Sequence, residues 1–146
     1  MRILFDAILN DEIKNYLLIY DGIEKIDLII KDFRSEINIK FNDKITPKII
    51  KRYIYLFQNT DIPIMLEFDK CINKNCKLLK YVVDDMCCEY CYKNLIQELF
   101  DNEFIISAKS NFDFNKPAFN VELFIEYSDH YNENELVQYI KEKIIL

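Results

Sequence analysis

Residues 77–100, KLLKYVVDDMCCEYCYKNLIQELF, decide the fold. If KLLKYVVD (77–84) is one straight strand, the chain runs from a buried apolar row into a cysteine cluster and then into a helix over 92–100. Eight residues of strand span about 26 Å, so Cys76 and Cys88 then stand far apart. If the segment instead folds back near Asp84-Asp85, the cysteines on either side of it meet. No glycine or asparagine marks a tight turn there, and only a looser turn at the two aspartates would serve.

Working outward favours the strand, because the order of elements around it occurs twice. In the first half, RILFDAI (2–8) reads as a strand and NDEIKNYLLIY (10–20) as a helix. Asn10 or Asp11 caps that helix, and Ile13, Leu17 and Tyr20 share one face. KIDLIIKDF (25–33) alternates, as does EINIKFN (36–42), where Ile37, Ile39 and Phe41 face one way. TPKIIKRYIYLF (46–57) opens with Thr46 as cap and Pro47 at the first helical position. Its apolar stripe runs through Ile49, Ile50, Tyr53, Ile54 and Phe57. IPIMLEF (62–68) closes the series, with Pro63 suited to an edge strand.

The second half gives strand 77–84, helix 92–100, strands 103–112 and 118–127, and helix 132–144. Asn132 and Glu135 open that last helix as a capping box, and Leu136, Ile140 and Ile144 line its buried face. Superposing the halves sets Ile13 on Leu95, Leu17 on Leu99 and Ile23 on Ile105. A slightly larger offset sets Ile37, Ile39 and Phe41 on Leu123, Ile125 and Tyr127. The expected fold class is therefore α+β: two ferredoxin-like βαββα(β) units in tandem, over 1–70 and 71–146, the second lacking its last strand. The alternative is one fused α+β domain with a continuous sheet. The missing strand leaves the second unit with a bare sheet edge, to be covered by the first unit or by another chain, as in a homodimer.

Composition narrows the chemistry. One glycine in 146 residues excludes a Gly-rich phosphate loop. A single histidine, His130, in a polar turn leaves few candidates for nucleophilic or acid–base catalysis, so no enzyme is expected. Asp84 and Asp85 are adjacent, so in a strand they point to opposite faces and make no carboxylate pair. The net charge of −6 disfavours nucleic acid and suits a protein partner with a basic docking surface. No apolar run reaches the ~20 residues of a membrane span, and the N-terminus lacks the pattern of a secretory signal. The expectation is a cytoplasmic protein whose five cysteines stay reduced or bind metal.

Those cysteines admit three readings. Cys88 and Cys91, in a Met86-x-Cys88-x-x-Cys91 loop before a helix, form a soft-metal pair for Cu(I) or Zn(II), with Cys87 as a third sulfur. Alternatively, Cys71, Cys76, Cys88 and Cys91 form a structural four-cysteine zinc site that stabilises an acidic interaction module, such as a small regulator or inhibitor. The third reading makes Cys71 or Cys87 an ordinary core side chain.

DMCCEYC, then Leu95 and Leu99, then EYSDHYNENELVQYIKEKI together resemble the heavy-metal-associated domain of copper chaperones and metal-pump modules. The resemblance covers nearly all of the second half. It implies metal trafficking by ligand exchange, with Cys88 and Cys91 as ligands and Met86 packed beneath the loop. Asp85 and Phe104 stand where that family has glycine, and Cys87 adds a thiol. In the first half the resemblance sets Asp6 and Leu9 at the two cysteine positions, which implies a unit without metal ligands, structural or partner-binding in role.

Overall fold

The computed structural model describes residues 1–57, 65–69, 75–86, 88–113 and 119–144. The protein is α+β, with all its described strand pairings antiparallel. It divides into two compact units, Met1–Lys70 and Cys71–Leu146.

In the first unit the order is β1 (Arg2–Phe5), α1 (Asp11–Leu18), β2 (Ile23–Lys31), β3 (Arg34–Phe41), α2 (Pro47–Phe57) and β4 (Met65–Asp69). β1 lies between β3 and β4, and β2 flanks β3. The period-2 pattern sets the faces: Ile3 pairs with Ile37 and Phe68, and these side chains are buried. Arg2, on the other face, bonds Glu36 and reaches Glu67 at 2.9 Å. That pairing holds the Glu36 carboxyl below the usual carboxylate range. Buried Ile13 and Leu17 of α1, and Ile50 and Ile54 of α2, supply the apolar stripes of the helices. Both caps are as expected: Asn10 accepts the Glu12 amide at 2.9 Å, and Thr46 Oγ1 accepts the Ile49 amide at 3.3 Å.

Besides β1 ending at Phe5 and α1 at Leu18, short of the expected residues 8 and 20, three details depart from the sequence reading. Strand β2 stops at Lys31, because Asp32 and Phe33 both take positive φ (54° and 62°) in a two-residue turn closed by Lys31 opposite Arg34. Such a turn normally recruits Asn-Gly, which is why the pattern ran on through Phe33. On α2, Ile49 is exposed and Lys51 is buried in its place, with Nζ 4.3 Å from the Phe68 ring centre. The expected strand 62–68 is seen as Met65–Asp69, and Pro63 lies outside the described residues.

The second unit runs β5 (Cys76–Asp85), α3 (Glu89–Asp101), β6 (Ile105–Ser110), β7 (Phe119–Ser128) and α4 (Glu133–Ile144). β7 lies between β5 and β6. β5 is unbroken: its register with β7 holds from Cys76 opposite Ser128 to Asp85 opposite Phe119. The fold-back at Asp84-Asp85 does not occur. Leu79 and Val83 of β5, Leu123 and Ile125 of β7 and Ala108 of β6 are buried, as are Tyr92, Leu95, Ile96, Leu99 and Phe100 of α3. α4 adds Leu136 and Ile140, and the Asn132 side chain caps it through the Asn134 amide at 2.7 Å. Ile144, expected in the same stripe, is half-buried. Tyr139 Oη donates to the Glu98 carbonyl at 2.7 Å, tying α4 to α3. Among the described residues no helix is long and apolar enough to cross a membrane.

Candidate metal centre at the start of α3

The strand-to-helix connection after β5 is short, and three side chains set its shape. Met86 turns inward and is buried. Cys88 has extended backbone angles (φ −166°, ψ 170°) and occupies the N-cap of α3. Its carbonyl accepts the Tyr92 amide at 3.2 Å, so helical bonding begins there. Tyr92 anchors that first turn: its ring stacks on Phe112 with centroids 4.3 Å apart, and its hydroxyl accepts from Ser110 Oγ at 2.6 Å.

α3 therefore starts one turn earlier than the expected residue 92. Cys91 belongs to the first helical turn rather than to a loop. The missed signal was Glu89 with Lys93 four residues on, an acid in a first turn followed by an i,i+4 cation; their charged ends lie 2.6 Å apart.

N-cap and third helical residue lie on the same side of a helix end, and here the two thiols meet: Cys88 Sγ donates to Cys91 Sγ at 3.5 Å. Cys88 is exposed and Cys91 half-buried, and neither is in a disulfide. Cys88 provides no side-chain cap to the first-turn amides, whose partial positive charge favours an anion such as a thiolate.

Cys76 stands at the other end of β5, where its Sγ donates to Glu126 Oε2 at 3.4 Å. Glu126 Oε1 in turn accepts from Ser107 Oγ at 3.0 Å. The nine residue steps from Cys76 to Asp85 span about 30 Å. Within one chain, Cys76 therefore cannot share an ion with Cys88 and Cys91, which removes the four-cysteine set as drawn. Cys71 and Cys87 lie outside the described residues. Among the described residues no three His, Cys, Asp or Glu side chains gather closely enough to hold a metal by themselves. His130 is exposed, 3.6 Å from Asp129.

In the first unit the equivalent helix start is capped by Asn10, and Ile13 takes the place of Cys91. Counted from the helix starts, Cys88 and Cys91 correspond to Asn10 and Ile13. Counted from the helix ends, where α1 and α3 stop at Leu18 and Asp101, they fall near Asp6 and Leu9, because α3 is longer at its start. Asp6 pairs with Arg34 at 3.5 Å, and the Leu9 amide donates to Ser35 Oγ at 2.8 Å. Comparison of the chain with family models, with curated proteins and with solved structures gives no match.

Proposed function

We propose that the protein binds a soft metal ion through Cys88 and Cys91 and passes it on by thiolate exchange, without catalysing a covalent reaction. The observation that carries the reading is the thiol pair at the N-terminus of α3, 3.5 Å apart and open on the Cys88 side. Two thiolates on a tetrahedral zinc, at about 2.3 Å each, lie roughly 3.8 Å apart. The pair needs to open only by a few tenths of an ångström to chelate Zn(II). A linear two-thiolate Cu(I) centre needs a wider spread, so Cu(I) is better served with a third ligand. Burial of Met86 holds the connection, and the helix terminus favours the charge that appears when the two thiols lose their protons.

The finer fold reading belongs to the same proposal. The first unit has strand order β4-β1-β3-β2, and the second has β5-β7-β6. These orders support reading the first as a ferredoxin-like unit and the described strands of the second as three of its four, in keeping with a heavy-metal-associated domain preceded by a unit without ligands. The exposed position of Cys88 suits transfer to a protein partner, and the acidic balance of the chain suits a basic docking surface, with the cytoplasm as the reducing compartment such thiols require.

The test is titration of the reduced protein with Zn(II) and Cu(I) against a competing chelator of known affinity. One ion per chain, lost in Cys88→Ser and in Cys91→Ser with the fold retained, is the expected result. Full metal uptake by both variants would sink the proposal.

A further inference from the structure

The side chains of a helix N-cap and of the third helical residue reach each other, which is why these two positions so often exchange hydrogen bonds. In α3 both positions are cysteine. Cys88 Sγ donates to Cys91 Sγ at 3.5 Å, and a disulfide needs about 2.05 Å. Rotation of the two side chains about their Cα–Cβ bonds can close that difference. The backbone on either side is held meanwhile. Met86 is buried, the Cys88 carbonyl accepts the Tyr92 amide at 3.2 Å, and the Tyr92 ring stacks on Phe112.

The two thiols differ in access. Cys88 is exposed and Cys91 is half-buried, so an incoming reagent meets Cys88 first and Cys91 stands behind it. An accessible thiol with a second thiol beside it is the arrangement of redox-responsive cysteines. Cys76 is placed otherwise: its Sγ donates to the Glu126 carboxylate at 3.4 Å, at the far end of β5. A bond between Cys88 and Cys91 closes a ring with only two residues between its ends. So short a loop constrains the unfolded chain little, and an exposed disulfide of that kind is readily reduced again.

We propose that Cys88 and Cys91 are a reversible redox pair, oxidised by small disulfides of the glutathione type, and that oxidation takes both ligands away from the metal. The Cys88 thiolate attacks one sulfur of glutathione disulfide, whose S–S bond breaks. One glutathione leaves and takes up a proton, and a mixed disulfide stays on Cys88. The Cys91 thiolate then attacks the Cys88 sulfur, the mixed disulfide breaks, and the second glutathione leaves with the other proton. Two electrons have passed from the protein pair to the reagent. Excess reduced glutathione runs the same steps backwards. The oxidation stands on the geometry of the pair alone. Its control of metal uptake rests on the metal reading above and adds a regulation to it: the empty site is open to oxidation, and the loaded site is protected because both thiolates are bound.

The metal-free full-length chain, equilibrated across ratios of reduced to oxidised glutathione, is quenched in acid, alkylated and weighed intact, with peptide mapping to place each modification. The wild type should form a disulfide that Cys76→Ser and Cys87→Ser retain, and excess reduced glutathione should return the thiols. Cys91→Ser should instead hold one glutathione on Cys88, and Cys88→Ser should lose the disulfide. Circular dichroism and thermal melts confirm that each variant is folded. Oxidised wild type should bind no zinc and regain one ion per chain on reduction. Free zinc at about ten times its dissociation constant should slow the oxidation about tenfold, because only the metal-free fraction reacts.

A wild type that keeps both thiols at every ratio, or that accumulates bound glutathione as Cys91→Ser does, overturns the redox pair. So does a disulfide that survives Cys88→Ser. Equal zinc affinity in the oxidised and reduced protein overturns the control of metal uptake. No zinc bound by the reduced protein overturns the metal reading and that control together, and the glutathione series then decides the redox pair by itself.

Discussion

Between Phe5 and Asp11 the first unit passes from strand to helix over a connection that its own side chains hold. Ser35, fully buried, accepts the Leu9 amide at 2.8 Å and donates to the Ala7 carbonyl at 2.6 Å. Asp6 is paired with Arg34, and Asn10 caps the helix. Between Asp85 and Glu89 the second unit makes the same passage with two residues fewer. It is held by an apolar side chain, Met86, and by an aromatic anchor, Tyr92, and the N-cap is a thiol that forms no capping bond. The two connections have one architecture and different chemistry. Where polar side chains satisfy the backbone, nothing is left for a ligand to do. Where a thiol pair stands at the helix end instead, the proposed ion would find two of its ligands.

The largest break in that comparison is removal of the pair. Cys88→Ser or Cys91→Ser should lower Zn(II) affinity by more than about 100-fold, since loss of even an outer-sphere partner typically costs 10–100-fold. Competition titration measures it. The converse check is Asn10→Cys with Ile13→Cys in the first unit. It should introduce little metal binding, because the neighbouring amide and carbonyl are already tied to Ser35.

Next in size is Ser35→Ala. The hydroxyl is buried and makes two hydrogen bonds to the connection, so its loss leaves the Leu9 amide and the Ala7 carbonyl without that partner. A destabilisation of about 2 kcal/mol is expected, seen as a lower denaturant midpoint with an unchanged slope. A change within about 0.5 kcal/mol would show that the first connection does not depend on this clamp.

Much of this was legible before the structure. The order of eleven elements follows from period-2 rows such as Ile37, Ile39 and from helical stripes such as Leu136, Ile140 with Asn or Thr caps. What misled was local and has local causes. Asp32-Phe33 adopts a turn usually made by Asn-Gly, and the aliphatic stem of Lys51 fills a core position that its charge disguises. The thiol pair was found from its spacing. Its role as a helix start was not, because cysteine is not a typical cap and the Glu89–Lys93 pair is a weak signal. The reach of Cys76 was settled only by the unbroken register of β5 with β7.

A smaller effect separates the helix layers by pH. Burial, and then the nearby Glu98 and Asp101 charges, push the Tyr139 hydroxyl up to about 12. Its folded value lies above the unfolded value near 10, so the folded state favours the protonated phenol. Its contribution to stability is full below pH 10 and is lost as pH rises toward 12. Tyr139→Phe should therefore lower stability by about 1 kcal/mol at neutral pH, through loss of the bond to Glu98. It should also flatten the alkaline limb of the stability curve. An unchanged alkaline limb would show that another group governs it.

The smallest expected effect is the most informative about the two caps. Asn10→Ala should cost about 1 kcal/mol, the usual loss of a capping side chain. Cys88→Ser should do the reverse. The backbone at residue 88 already has the extended angles of an N-cap, and only the side chain fails to accept an amide. A serine oxygen there can accept from a first-turn amide, so the variant that removes a proposed metal ligand should gain about 0.5 kcal/mol, a rise in melting temperature of about 2–4 °C. Measured on metal-free protein under reducing conditions, that gain would mean the thiol is retained at a cost to the fold, as expected of a functional ligand. A loss of stability would mean instead that the Cys88 thiol is part of what holds α3 in place, and the second connection would then be as self-sufficient as the first.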